Sequence, residues 1–335
     1  MYKEWQIIKV VLRKIFQCII AIFILSLITF YISRLSPGDP LKSYYGNAVE
    51  RMSMEDREKA IDKLGLNEPI YIQYGKWIKN AAKGDFGISY KYKRDVTSVI
   101  NDVYKNTVIL GGLSYILTFV GALFLGIFSA LHEDKLIDKI IMTIGNITSS
   151  IPSFWVALIL ILIFGVNLGV LPTSGAYSIG NESNIIDRMI HLILPLVVLV
   201  IGHLWYYGYM VRNKILEEMR EDYVLLAKVK GLTKRQVIYK HCLRNIMPSF
   251  ITMMTISLPH ILAGTYVVEQ IFSYPGIGSL VFESAKYHDY NMLMVLSLIT
   301  GIIVLISNMI AQIINKNIDP RVNYQGGETF EPSFE

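Results

Sequence analysis

Charge is what the long apolar stretches of this chain lack. No Asp, Glu, Lys or Arg occurs in residues 15–33, 106–131, 140–166, 189–211, 245–268 or 290–315. Fixed charges at mid-membrane mark ion-coupled transporters, so their absence disfavours that class, as does the lack of a strong internal repeat. Cysteine is scarce as well. Cys18 lies in an apolar stretch and Cys242 in a basic one, so neither a disulfide nor a metal-ligand cluster is expected. The chain has no Gly-x4-Gly-Lys-Ser/Thr loop, no His-Glu-x-x-His and no Gly-x-Ser-x-Gly. Those absences disfavour a nucleotide-hydrolysing subunit, a zinc protease and a serine hydrolase. The chain is expected to be no enzyme and to need no cofactor.

What is present is apolar length. Of 335 residues, 53% are hydrophobic, too many for an ordinary soluble domain. Ile15 to Ser33 gives nineteen uncharged residues and Asn106 to Leu131 gives twenty-six; about twenty residues span the hydrocarbon of a bilayer. The third stretch, Ile140 to about Val166, is interrupted at Ser149, Ser150 and Pro152. A proline at membrane depth frees a carbonyl that nearby serines can re-satisfy, which reads as a packing kink. With Met189–Val211, Asn245–Val268 and Tyr290–Asn315, the fold class is an all-α integral membrane protein of six helices. The net charge of +5 orients these spans and is no nucleic-acid signal.

Lys3, Lys9, Arg13 and Lys14 precede the first span, placing the N-terminus inside. A signal peptide is disfavoured, because the run is long and no small-residue cleavage site follows. The chain then divides into residues 1–33, the cytoplasmic N-terminus and first span; 34–105, an extracytoplasmic loop; 106–322, spans two to six; and 323–335, a polar cytoplasmic tail. Residues 34–105 carry thirteen basic and ten acidic residues, and loops of that length escape the positive-inside count. Ser36–Pro40 reads as a turn. Ser53 and Asp56 have capping-box spacing for a helix stopped at Gly65, and a second helix is expected over Ile70–Ala82. His191 and His203 stand twelve residues apart, about 18 Å along a helix, too far to share one ion.

The most informative stretch is Arg212 to Pro248, which holds nine Lys or Arg and four acids between two apolar spans. That excess places it in the cytoplasm. Glu221 to Lys230 is built of helix formers, Gly231 supplies a stop, and Thr233 with Gln236 opens a second helix running to about Asn245. Helix, glycine, helix is the outline of a rigid docking element.

These residues carry a resemblance. Glu221-Asp222-Tyr223-Val224, Ala227, Lys230, Gly231-Leu232 and His241-Cys242-Leu243-Arg244-Asn245 resemble the cytoplasmic coupling loop (here 212–246) of ABC importer permeases, in the dipeptide, oligopeptide and nickel branch. The general pattern is Glu-Ala-Ala, three residues, Gly, nine residues, Ile-x-Leu-Pro. Ala227, Gly231 and Leu243 fall on it. Leu225, Leu226, His241 and Arg244 depart from it, several of them as the narrower branch does. Leu64-Gly65-Leu66, Trp77, Gly84-Asp85-Phe86-Gly87, Glu269, Pro275-Gly276-Ile277-Gly278 and Ile318-Asp319-Pro320-Arg321 are also similar to that family.

The resemblance implies an ATP-driven importer subunit in a prokaryotic cell membrane, with both termini cytoplasmic. Its partners would be a second homologous permease, two cytoplasmic ATP-binding subunits, an extracytoplasmic substrate-binding protein docked on the 34–105 loop, and membrane lipid. Peptides are the first substrate class and nickel or a metal chelate the alternative; an ion-coupled secondary transporter is the alternative of another class. Glu221, Asp222, Tyr223, Ala227, Lys230, Gly231 and Leu243 are the coupling candidates. Ser150, Thr252, Thr255, Ser257 and Glu269 are candidates for the translocation path, with Glu269 equally readable as a hydrogen-bonded residue at a helix end.

Overall fold

The computed structural model describes residues 2–35 and 40–318. The turn read at Ser36–Pro40 falls mostly outside them, and so do Asp319-Pro320-Arg321 and the tail 323–335. Among the described residues there is no strand, only an isolated bridge between Ile88 and Asp95. The order is α1 (Tyr2–Leu35), α2 (Pro40–Tyr45), a 3-10 turn (Gly46–Arg51), α3 (Met54–Lys63), α4 (Ile70–Ala81), α5 (Val96–Leu131), α6 (Leu136–Ser150) and α7 (Ser153–Leu160). Then come a π-helical turn (Ile161–Asn167), α8 (Ile185–Glu218), α9 (Asp222–Val229), α10 (Lys234–Val237), a second π turn (Ile238–Cys242), α11 (Leu243–Ile271), α12 (Ile277–Lys286) and α13 (Tyr290–Ile318).

Among the described residues, five helices are long and apolar enough to cross a membrane: Ile15–Leu35, Val96–Leu131, Ile185–Glu218, Lys234–Ile271 and Tyr290–Gln312. A sixth span exists if α6 and the α7 segment count as one broken span. The break falls at Ile151, extended at φ −91° and ψ 124°. A residue before proline is pushed out of the helical region, so a full break forms at Ile151-Pro152 where the sequence suggested only a kink.

Two other spans differ from the sequence reading. The second helix starts at Val96 rather than Asn106, because Asp102 and Lys105 stay exposed on its surface and nothing before Asn106 breaks a helix. The second helix of the 212–248 stretch does not end near Asn245; it runs through the π turn into α11 as one continuous element, Lys234–Ile271. No Gly or Pro lies between Lys234 and Met247 to stop it. Pro248 and Pro259 sit inside α11.

The chain clusters into two compact units. The first takes the chain up to Leu113, Phe154–Val197 and Leu262–Ile303. Its core packs Val96, Val99 and Ile100 of α5 against Ile277 and Leu280 of α12 and Met292, Val295 and Leu296 of α13. A smaller cluster joins Phe30 of α1, Tyr74 of α4 and Met294. Ser53 caps α3 by accepting from the Asp56 N–H at 3.1 Å, and Gly65 ends the helix region at φ +67°. The stretch 88–92 is tied down by Asp289, which accepts from the Ser89 hydroxyl and the Lys91 N–H, and by Glu283, which accepts from the Lys91 ammonium and the Tyr92 hydroxyl.

The second unit takes Ser114–Ser153, Val198–Ile261 and the chain from Val304. Phe119 of α5 is its pivot, with ring centroids 4.7 Å from Tyr207 of α8 and 5.8 Å from Phe250 of α11. Small residues let α5 and α8 approach closely: a Cβ on Gly126 would lie 2.9 Å from the Gly208 carbonyl oxygen. In lipid, where apolar burial gives no driving force between helices, such close packing is what holds them together.

Candidate functional site

The 212–248 stretch turns at Gly231, with the short α9 before it and α10, continuous with α11, after it. α9 turns Val224 and Ala227 inward onto Val237 and Cys242. Tyr223 donates to the Glu218 carboxylate, which also accepts from Asn245 Nδ2 at 3.1 Å. Burial and then the Glu218 carboxylate push the Tyr223 phenol well above its ordinary pKa, so it stays a donor. Gly231 sits at φ +83°, and the Leu232 N–H bonds the Ala227 carbonyl at 3.2 Å, the bond that closes a helix on a left-handed residue. Thr233 and Gln236 form the full capping box. Leu243 is half-buried against the core of the second unit. Glu221, Asp222 and Lys230 are exposed.

The same geometry leaves three apolar side chains outside. Leu225 is 64% exposed, Leu226 56% and Val229 79%, on a helix whose opposite face is locked in the core. Sequence reasoning noted the Leu pair only as a departure from a pattern and missed Val229. Its signal was the helical spacing of Leu225 and Val229, one turn apart and out of phase with Val224 and Ala227.

A cavity of about 750 Å³ opens between α8 and α11 within the second unit. Thr252 and Ser257 line it; Thr255 and Ser150 do not. The hydroxyls of all four bond back to their own helices: Thr252 to the Pro248 carbonyl at 3.1 Å, Thr255 to Ile251 at 2.9 Å, Ser257 to Met254 at 2.7 Å and Ser150 to Asn146 at 2.8 Å. His203, Tyr206 and Tyr207 of α8 and Ser249 and His260 of α11 complete the polar lining, and the ion pair Lys214–Glu217, 2.8 Å, stands among them. His203 Nδ1 meets the Leu199 carbonyl at 2.9 Å. A carbonyl only accepts, so Nδ1 is the donor in this bond. His260 escaped the sequence reading, although Ser249, Thr252, Ile256 and His260 fall on one helical stripe, as do His203, Tyr206, Met210, Asn213 and Glu217.

Glu269 is 0% exposed. Its carboxylate accepts from the Thr107 hydroxyl at 2.7 Å, the Gly278 N–H at 2.7 Å and the Ser279 N–H at 3.3 Å. Within this chain it offers no surface to a passing solute, and the hydrogen-bonded reading of this residue is the one its surroundings match. Among the described residues no group of three or more His, Cys, Asp or Glu could hold a metal.

Two family descriptions match the chain. "Binding-protein-dependent transport system inner membrane component" matches residues 122–324, and the N-terminal component of the same systems matches residues 7–111. Among curated relatives, the oligopeptide transport system permease AppB of Bacillus subtilis is 36% identical, covering 94% of this chain and 99% of its own. The oligopeptide permease OppB of Haemophilus influenzae is 30% identical over 95% of this chain and 100% of its own, and the metal-staphylopine import permease CntB of Staphylococcus aureus is 30% identical over 94% and 98%. A solved structure of the MetNI methionine ABC transporter in inward-facing form shares the fold, with a TM-score of 0.50 and 18% identity over 65% of this chain and 97% of that one. The chain thus belongs to the binding-protein-dependent transport system inner membrane components and is a membrane-spanning permease subunit of the ABC importer class.

Proposed function

We propose that this subunit passes peptides across a prokaryotic cell membrane, driven by ATP hydrolysis on two partner subunits docked at α9 and α10. The observation that carries this is the exposed apolar face of Leu225, Leu226 and Val229, held rigidly by buried Val224 and Ala227. Apolar side chains exposed on a helix, in a stretch of nine Lys or Arg and four acids, suit an apolar cleft on a partner. A second, homologous permease completes the path, and a binding protein delivers substrate to residues 34–105 from outside. Both termini are cytoplasmic. The relatives named for oligopeptides favour peptides. The relative named for metal-staphylopine keeps a metal chelate as the second reading.

Closure of the ATP-binding subunits would move the docking helices together and switch the cavity between outward and inward access. The cavity wall beside α8 and α11 offers hydroxyls, imidazoles and phenols rather than a fixed unpaired charge, which suits a hydrated cargo in transit. The test is uptake of a labelled tripeptide into vesicles holding the full complex. ATP-dependent uptake, lost when Leu225 and Val229 are both changed to Asp, supports the reading. Uptake that survives ATP depletion and collapses with an ionophore would move the chain to the ion-coupled class. Uptake of chelated radiolabelled nickel without peptide uptake would favour the second reading.

A further inference from the structure

Asp138 and Arg212 form a buried, bidentate ion pair in the second unit. Arg212 of α8 reaches both carboxylate oxygens of Asp138 at the head of α6, Nε at 2.7 Å and Nη2 at 2.5 Å. The Ser129 hydroxyl, near the end of α5, and the Asp134 N–H, at 3.2 Å, also donate to this carboxylate. Four donors saturate it, and its side chain is almost wholly buried, that of Arg212 largely so. Asp134 itself sits at φ +63°, a left-handed conformation that Asp tolerates better than most residues. A second bond reaches the same turn: Lys234, the first residue of α10, pairs with Glu133 at 3.1 Å, both half-buried.

A buried, bidentate ion pair is a poor source of stability, because desolvation offsets most of its attraction; its gain is a defined geometry. Here that geometry fixes the turn between α5 and α6 to α8 and to α10. α10 follows α9 after four residues, of which Gly231 closes one helix and Thr233 caps the next. Behind the pair lies a cavity of about 210 Å³, lined by Ser129, Met142, Gly145, Tyr206 and Arg212 among others. This open pocket separates part of α6 from α8, which leaves α6 room to shift against α8.

We propose that Glu133, Asp138, Arg212 and Lys234 form a clasp that carries movement of the docking loop into α6, making the 132–138 turn a second relay besides the direct run of α10 into α11. The clasp rests on the docking role of α9 and α10 proposed above. Its residues are positioning residues: they touch neither ATP nor cargo.

The experiment uses the full complex, with its ATP-binding subunits and binding protein, in proteoliposomes, and reads labelled tripeptide carried per ATP hydrolysed. Glu133→Lys and Lys234→Glu each should lower that ratio about threefold to thirtyfold, the range of coupling energies along such networks, and the double swap should restore most of it. Asp138→Asn with Arg212→Gln should lower it similarly. Arg212→Lys, which keeps the charge and loses the fork, should give an intermediate value. A ratio unchanged in the single swaps overturns the clasp, and so does a double swap that assembles normally without recovery. If the parent complex shows no ATP-dependent uptake at all, the docking reading itself fails, which is a different result from an intact parent with indifferent variants.

Discussion

Thr107 donates its one hydroxyl proton to the Glu269 carboxylate, at 2.7 Å, while its oxygen accepts from the Ile277 N–H, also at 2.7 Å. The other oxygen of Glu269 faces two more N–H groups, so the carboxylate meets donors only. Asn106 adds a bond to the Pro275 carbonyl at 2.8 Å. A Cβ on Gly276 would overlap the Glu269 carboxylate, and one on Gly278 would overlap the Tyr266 backbone. The Pro-Gly-x-Gly turn is therefore folded around this side chain, with α5, α11 and α12 joined through it.

Replacing Glu269 by Gln keeps an acceptor for the two N–H groups but turns an NH2 group toward Thr107, whose proton is then orphaned. The expected loss is about 1–3 kcal/mol, the desolvation cost of one buried unsatisfied group. Glu269→Ala orphans three donors and should cost more. Thermal melting of the purified chain in detergent checks this. A Glu269→Gln protein that melts like the parent would show that the turn does not depend on the carboxylate.

Much of this was legible in the sequence, and the failures have physical reasons. The capping box at Thr233 and the stop at Gly231 could be read because caps are local chemistry. The fusion of α10 with α11 was readable too, since no Gly or Pro interrupts 234–247, but the change from basic to apolar residues at Asn245 drew the boundary there. Glu269 could not be placed by sequence alone: its partners, Thr107 and the 276–279 turn, lie on other elements. His260 and Val229 were readable from helical stripes but stood outside the motif that drew attention.

Glu283 offers a pH test outside the spans. Burial alone would push its carboxyl up, but bonds from the Lys91 ammonium and the Tyr92 hydroxyl outweigh it and hold the group below the ordinary carboxylate range. A depressed folded pKa means stability that is present above the unfolded value, about 4.3, and is lost as pH falls through the folded one. Acidification below about pH 4 should expose residues 86–95 to hydrogen exchange. Glu283→Gln should show that exposure already at neutral pH, with a flatter dependence on acid. An identical acid profile in the two proteins would remove Glu283 as the cause.

Gly231 is a cleaner case than most glycines, because nothing lies within 4 Å of a Cβ added there. Any effect of substitution must come from the backbone at φ +83° and not from crowding. Gly231→Asn, which tolerates this region, should keep ATP-driven uptake. Gly231→Val should strain the cap by about 1–3 kcal/mol and uncouple uptake from hydrolysis. Equal uptake by both variants would mean that the loop's conformation does not set the coupling.

The proposed sidedness is read by labelling. Glu58 and Arg235 are both exposed on this chain, so in cells that make it without its ATP-binding partners, access to a reagent reports the side of the membrane and not burial. A cysteine at position 58 should react with an impermeant thiol reagent in intact cells; one at position 235 should react only after lysis. The reverse pattern would invert the topology.

The cavity between α8 and α11 gives the last prediction. The Thr252 and Ser257 hydroxyls that line it are already bonded to their own helix, so what each offers a cargo is a second, weak contact. Interhelical polar contacts in membranes average about 0.6 kcal/mol, roughly a threefold effect. Single alanine changes at Thr252, Ser257, His203 or His260 should therefore alter tripeptide uptake by no more than about threefold, leaving the order of preferred peptides unchanged. Thr255→Ala, outside the lining, is the internal control for effects of helix packing. Exchanging the external binding protein for a compatible homologue should change the order. A lining variant that switched substrate preference while the binding protein stayed constant would require a specific site in the membrane, and His203, which lines the cavity, would be the first residue to examine for it.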